Sequence, residues 1–288
     1  MRKFLCLFLL LALTAGSASA LEMRVIKLGL LAKMNSTESE YADIWKKTFA
    51  PNHEILNIIT KFYDTLTAMQ LALDKGEIDQ MILPESIAGY FLNRNKNFES
   101  ALALPAPGRG LAFGFLAENK KLRDEFNKAL QTLRDDWTLS AIEGLYITNS
   151  TSDPEPVKFQ HFDNAETIKI AVTGDLPPID FIAADGTPAG FNTAVLSEIA
   201  ALLKKNIELV NIDSGARSAA LSSGRADVVF WYEIDTAGRD KTDTPDGVIL
   251  SEPYYVWNKF IHIKKVPAKT DTKSWNYRRD FLNLLRRQ

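Results

Sequence analysis

The chain has 288 residues, 46% of them hydrophobic and 24% charged, with a formal net charge of −2 at pH 7. That is the composition of a globular protein long enough for two lobes, and its near-neutral balance excludes the strongly basic surface that nucleic acid calls for. The single cysteine, Cys6, excludes a disulfide framework and cysteine-ligated metal. His53, His161 and His262 lie far apart, without partners at metal-site spacing, so no metal and no other cofactor is expected.

The amino terminus reads Arg2-Lys3, then an apolar run from Phe4 to Leu13, then Ala18-Ser19-Ala20. This is the three-part layout of a secretory signal, here cleaved after Ala20. The run is too short for a membrane span, which needs about 20 apolar residues. Because Cys6 lies inside it, the mature chain is expected without cysteine, which suits a bacterial periplasm.

The pattern then predicts a first α/β unit over 21–109. Its strand Val25 to Leu31 leads through a polar loop, Lys33 to Ser39, into a helix from about Glu40 to Thr48. A second helix, Tyr63 to Lys75, precedes a strand, Ile78 to Leu83, which Pro84 ends, with Glu85 at the following turn. Pro105-Ala106-Pro107-Gly108-Arg109-Gly110 reads as a break. Residues 110–150 then give a crossover strand, Leu111 to Leu116, and two helices. In the first of these, Leu122, Phe126, Ala129, Leu130 and Leu133 form one apolar stripe.

A linker over 151–165, with Pro154 and Pro156, separates this half from a second α/β unit over 166–265. There the strand Ile168 to Thr173 is followed by a short extended piece around Phe181. Asn192 reads as the N-cap of a helix bearing Val195, Ile199, Leu202 and Leu203, and Ile207 to Val210 reads as a strand. Residues 266–288 form a basic amphipathic tail, read first as docking on its own domain, with a partner or membrane surface as the alternative.

Both halves share one unit. Ala72 to Leu83 reads A-L-D-K-G-E-I-D-Q-M-I-L, and Ala220 to Trp231 reads A-L-S-S-G-R-A-D-V-V-F-W. Each is a helix end, a glycine in the helix-ending position, an aspartate and an apolar strand. Alternating strands and helices predict α/β lobes with largely parallel sheets, and two facing lobes enclose a cleft. After the second copy, Thr236 and Arg239 follow the carboxyl end of a strand, the edge where open α/β sheets bind ligands. An arginine there can hold a carboxylate by two parallel hydrogen bonds. The plainer reading leaves Arg239 solvated or paired with Asp235 or Asp240.

The second half resembles the first lobe of the amino-acid-type solute-binding proteins of ABC transporters, the bacterial extracellular family 3. The residues that carry this are the strand Ile168 to Thr173, Leu176-Pro177-Pro178-Ile179, Gly190-Phe191, Gly224 and Asp227, Thr236 and Arg239, and Ser251-Glu252-Pro253-Tyr254. The first half resembles the family's second lobe, with Asn35-Ser36-Thr37, Tyr41, Gly76 and Asp79. Leu111 to Tyr146 is similar to the family's terminal strand and helices. The lobe order is reversed relative to the family, which implies a circular permutation of a type II periplasmic-binding-protein-like fold. A tandem pair that lost both ends is the rival account.

The resemblance implies a periplasmic protein whose lobes close on a small carboxylate-bearing solute, an amino acid or a relative, for uptake by a membrane permease. No nucleic-acid partner is expected, and the chain is expected as a monomer without enzymatic activity. It implies ligand contacts at Arg239, Thr236, Ser36 and Thr37. The family's covering aromatic is replaced by Leu176, and the acid that holds an α-amino group aligns with Pro84, next to Glu85. Trp231 or Tyr232 then offers a stacking surface, and Glu233 completes the strand end; a core role for Trp231 stands beside that reading. Two other readings keep the fold: a ligand-sensing or partner-binding module, and a dehydratase-like enzyme using Glu233 and Glu85 as acids.

Overall fold

The computed structural model describes residues 24–49, 56–149, 153–236 and 243–267. The signal segment with Cys6, His53, Arg239 and the amphipathic tail from Ser274 lie outside the described residues. No described helix is long and apolar enough to cross a membrane, and no cluster of metal-ligating side chains occurs among the described residues.

The first lobe is built from β1 (Arg24–Leu31), α1 (Glu38–Phe49), β2 (Leu56–Tyr63), α2 (Leu66–Lys75), β3 (Gln80–Pro84) and α3 (Glu85–Arg94). Strand β1 is central and pairs in parallel with both β2 and β3. Strand β4 (Phe98–Leu116) then leaves this lobe and enters the second. There follow α4 (Lys120–Asp135), α5 (Thr138–Glu143), β5 (Thr167–Val172) and a small sheet of β6 (Asp175–Leu176), β7 (Asp180–Ile182) and β8 (Pro188–Ala189). The second lobe continues with α6 (Phe191–Leu203), β9 (Asn206–Asn211), α7 (Arg217–Ser222), β10 (Val228–Asp235) and β11 (Val248–Leu250). Strand β12 (Tyr255–Lys265) returns to the first lobe.

The main sheet runs β2-β1-β3-β12-β4-β10-β5-β9, with β11 on β4. Its two ends have the same plan. In each, a central strand (β1 or β5) lies between two parallel neighbours, and the third strand (β3 or β10) pairs antiparallel with the crossover ribbon. The ribbon is β4 and β12, antiparallel to each other from Tyr255 opposite Leu111 to Lys265 opposite Phe98. This is the two-lobed type II periplasmic-binding-protein-like fold that the sequence implied, with both chain crossings in one ribbon.

The repeated unit forms the same clasp twice. Gly76 and Gly224 end their helices at φ 73° and 70°. Asp79 takes the Lys27 N–H on its carboxylate and gives its own N–H to the Lys27 carbonyl, each at 2.8 Å. Asp227 does the same with Lys169, again at 2.8 Å for both bonds. The aspartate thereby extends the ladder from the third strand to the central one.

Several local expectations are corrected. The Pro105 to Gly110 stretch is no break: β4 runs through it and takes up a register shift opposite Trp257 and Lys259. Prolines fit an irregular hinge ribbon because they give up only ladder bonds that the bulge already forgoes. Glu85 begins helix α3 rather than a turn. The N-cap of α6 is Gly190, while Asn192 sits fully buried inside the first turn. Helices α4 and α5 pack on α6, and Phe126, Ala129, Leu130 and Leu133 close over Phe113 and Phe115 as the apolar stripe predicted. Each such large side chain contributes about 1.5–3 kcal/mol of burial.

Candidate functional site

The cleft between the lobes is lined from both sides and from the ribbon. The end of β1 supplies Leu30 to Lys33, and the β3–α3 junction supplies Pro84, Ser86 and Ile87. The second lobe supplies Leu176, Ile179, Arg217, Trp231, Glu233 and Asp243, and the ribbon supplies Leu111, Tyr255, Trp257 and Phe260. One end is apolar and aromatic; the other gathers Lys33, Arg217, Glu233 and Asp243. The enclosed space is about 40 Å³, room for a few waters and far below the roughly 300 Å³ at which ligand pockets begin.

Arg217 stands in the first turn of α7 and is 2% exposed. Its Nε donates to the Ser214 carbonyl at 2.8 Å, Nη1 to the Trp231 carbonyl at 3.0 Å, and Nη2 to the Ala32 carbonyl of the opposite lobe at 2.8 Å. Its guanidinium lies 3.9 Å from the Trp231 ring centroid, a cation–π contact in a dry setting. Among the described residues no carboxylate reaches it at ion-pair distance. Burial pushes its pKa down to about 10, which leaves it protonated at neutral pH.

Lys33 meets Glu233 across the cleft at 2.5 Å, and Arg109 on the ribbon approaches the other Glu233 oxygen at 3.7 Å. Burial opposes charge on both partners. The mutual attraction prevails, holding Lys33 above the usual lysine range and Glu233 below the usual carboxylate range. Asp243, 6% exposed, accepts the N–H groups of Met34 and Asn35 at 2.7 and 2.8 Å, one on each oxygen. Further along the cleft, Asp175 accepts the Leu66 N–H and Asp64 accepts the Gly215 N–H, again from lobe to lobe.

Two indoles border the cleft. Trp257, 2% exposed, has an Nε1–H without a hydrogen-bond partner among the described residues. The Trp231 Nε1–H faces the buried Asp180 carboxylate without closing a hydrogen bond to it; Asp180 instead accepts from the Thr173 N–H and hydroxyl. Burial raises the Asp180 pKa against those bonds.

The structure brings Trp231, Glu233 and Leu176 together at the cleft. The other predicted positions go elsewhere. Tyr232 alternates with Trp231 along β10, so it points to the opposite face, fully buried against Gly114, where any Cβ would lie 2.0 Å from its ring. Thr37 and Glu40 form a capping box on α1: the Glu40 carboxylate accepts the Thr37 N–H at 2.8 Å, and the Thr37 hydroxyl accepts the Glu40 N–H at 3.3 Å. Ser36 lines an outer groove beside α1 that meets the cleft at Glu233 and Phe260. Glu85 accepts the Asn258 N–H at 3.0 Å and so ties α3 to the ribbon. Thr236 gives both its N–H and its hydroxyl to the Gly108 carbonyl, a ribbon contact. Sequence reasoning missed Arg217, Lys33 and Asp243. Arg217 had one usable signal, an arginine in the opening turn of a helix that follows a strand's carboxyl end; the other two had none.

Residues 168–281 match the model of the bacterial extracellular solute-binding proteins, family 3. No curated protein matches the chain. Among solved structures, a ligand-binding component of an ABC-type import system from Staphylococcus aureus, crystallised with zinc, is similar at 12% identity and TM-score 0.45, covering 91% of this chain and 72% of that one. The alkanesulfonate-binding protein SsuA from Xanthomonas axonopodis pv. citri, bound to MOPS, is similar at 9% identity and TM-score 0.44, with the same two coverages of 91% and 72%. The reduced OxyR regulatory domain from Pseudomonas aeruginosa is similar at 9% identity and TM-score 0.43, covering 92% of this chain and 96% of that one.

Proposed function

We propose that this chain is a periplasmic solute-binding protein whose lobes close on a small solute with an anionic head, such as a carboxylate, and an apolar body, for uptake through an ABC-type permease. The match of residues 168–281 to the solute-binding family supports the class. The observation that carries the solute chemistry is Arg217. It is a protonated, buried guanidinium at the polar end of an otherwise apolar cleft, bonded to carbonyl oxygens, with Asp243, Glu233 and Asp180 near enough to act on its charge but none of them at ion-pair distance. A buried cation gains most from a directly bonded anion. Leu176, Ile179, Ile87 and Trp257 offer an apolar wall for the rest of the solute. An α-amino group has weaker support, because Glu85 is committed to the ribbon and Glu233 to Lys33 and Arg109.

The lobe order supports a circular permutation. Helices α4 and α5, of the family's terminal type, follow the first lobe in the chain but pack on α6 of the second. Binding rather than catalysis is the reading we hold for the cleft. The small enclosed volume favours one alternative, a module that keeps the fold for sensing or for a partner.

A thermal-shift screen tests the proposal. Aliphatic and aromatic carboxylates, their neutral amides and the amino acids are each added to the mature chain. A true solute at 100 times its dissociation constant adds about 2.7 kcal/mol of stability. The proposal expects larger shifts from acids than from the matching amides. Equal shifts from acid and amide remove the anionic head from the reading, and no shift across the panel favours the sensing or partner-binding module.

A further inference from the structure

The segment from Ala32 to Asn35, at the carboxyl end of β1, is engaged residue by residue by charged groups of the opposite lobe. The Ala32 carbonyl accepts from Arg217 at 2.8 Å, and the Lys33 ammonium meets Glu233 at 2.5 Å. The adjacent N–H groups of Met34 and Asn35 converge on the two oxygens of Asp243 at 2.7 and 2.8 Å, and the Asn35 amide donates to the Thr244 carbonyl at 3.1 Å. Successive backbone N–H groups aimed at both oxygens of one carboxylate are a means by which proteins hold anionic ligands. Here the carboxylate belongs to the chain itself, is 6% exposed, and reaches across the cleft.

We propose that Asp243 is a built-in competitor: its carboxylate seats on the Met34–Asn35 N–H pair, latches the lobes together, and must be exchanged for the anionic group of any solute that enters there. The proposal rests on the solute-binding reading for the identity of the competing anion, but the latch itself rests only on contacts within the chain. Its geometry sets the selectivity. A solute carboxylate replaces one two-oxygen acceptor by another at no change in charge, whereas a neutral amide offers one acceptor oxygen and turns its NH₂ toward the second donor. The small enclosed volume agrees, because the polar end is already filled by Asp243, Glu233 and Arg217.

The latch is tested by measuring lobe separation. Thr67 and Ser222 are exposed and lie on opposite lobes. With the chain's single cysteine changed (Cys6→Ser), Thr67→Cys and Ser222→Cys carry two spin labels for pulsed distance measurement. The chain with Asp243 intact is expected to show one short-distance population. Asp243→Ala is expected to add a longer one; acetate added at increasing concentration restores the short distance and acetamide does not. If Asp243→Ala loses the folded circular-dichroism signal, Asp243→Asn serves instead, with a smaller shift to long distance in the same direction. Unchanged distances in the variant that folds, or no response of the open population to acetate, overturn the latch. A chain that binds the carboxylate panel yet shows unchanged distances keeps the solute-binding reading and loses only the latch. One that opens on Asp243→Ala but binds no member of the panel loses only the solute.

Discussion

The guanidinium of Arg217, on the second lobe, donates to the carbonyl of Ala32 on the first at 2.8 Å, and no carboxylate among the described residues pairs with it. One side chain thus reads the closed geometry and carries a positive charge that is bonded to carbonyls alone. Lysine cannot reproduce three bonds that leave a planar fork in fixed directions. Arg217→Lys is expected to leave buried carbonyls unpaired at about 1–3 kcal/mol of stability, and to weaken binding of a carboxylate hit by at least about tenfold, equivalent to about 1.4 kcal/mol. Urea unfolding and calorimetric titration of the same preparation check the two losses.

The Lys33–Glu233 pair makes a second prediction. Removing one member of a buried pair costs about 3–5 kcal/mol because the other charge stays behind. Lys33→Met leaves the Glu233 carboxylate buried beside Arg109 at 3.7 Å, and Glu233→Gln leaves the Lys33 ammonium buried without its hydrogen-bonded acid. Each single change is therefore expected to destabilise, and the double variant to be less damaging than the sum. A double-mutant cycle by denaturant unfolding measures this, with a coupling of about 1–3 kcal/mol expected.

Asp175 predicts a dependence on pH. Burial raises its pKa to about 6, against the Leu66 N–H bond that favours the carboxylate, with Asp180 adding repulsion. The folded pKa lies above the ordinary aspartate value. The carboxyl's contribution to stability is thus fully present below about pH 3.8 and is lost as pH rises through about 6. Asp175→Asn keeps the oxygen that accepts from Leu66 and removes the ionisation. It is expected to raise the melting temperature at pH 8 and to change it little at pH 4, as scanning calorimetry at the two pH values shows.

The twin clasps predict matched losses. A Cβ at Gly76 or Gly224 meets no atom of the described residues within 4 Å, so alanine there pays for its left-handed backbone, at φ 73° and 70°. Gly76→Ala and Gly224→Ala are each expected to cost about 1–2 kcal/mol, with the two values alike in urea unfolding. A cost at one glycine only contradicts the equivalence of the two units.

That equivalence is the part of the fold most legible in the sequence, because a helix stop, an aspartate and an apolar strand depend on local chemistry. The capping box at Thr37 and Glu40 is equally local; there the resemblance assigned Thr37 to the ligand, while the spacing alone spells a cap. The crossover ribbon was hidden because prolines at 105 and 107 signal a turn, whereas a bulged hinge strand accepts them. The polar end of the cleft was the least legible. Asp243 and the Met34–Asn35 N–H pair lie more than 200 positions apart, and their union is set by how the lobes meet. Tyr232 fails for a simpler reason: strand alternation sends neighbours to opposite faces, so Trp231 and Tyr232 cannot both line one cleft.

The central claim is that Arg217 receives the anionic head of a solute in this cleft. Its most direct test is calorimetric titration of the strongest carboxylate from the screen, beside its neutral amide, against the unaltered chain and Arg217→Met. The account predicts saturable one-to-one binding of the acid to the unaltered chain, at least about tenfold weaker binding of the amide, a discrimination of about 1.4 kcal/mol or more, and a smaller difference together with weaker acid binding in Arg217→Met. Equal affinity for acid and amide, or the same acid affinity in both chains, contradicts it.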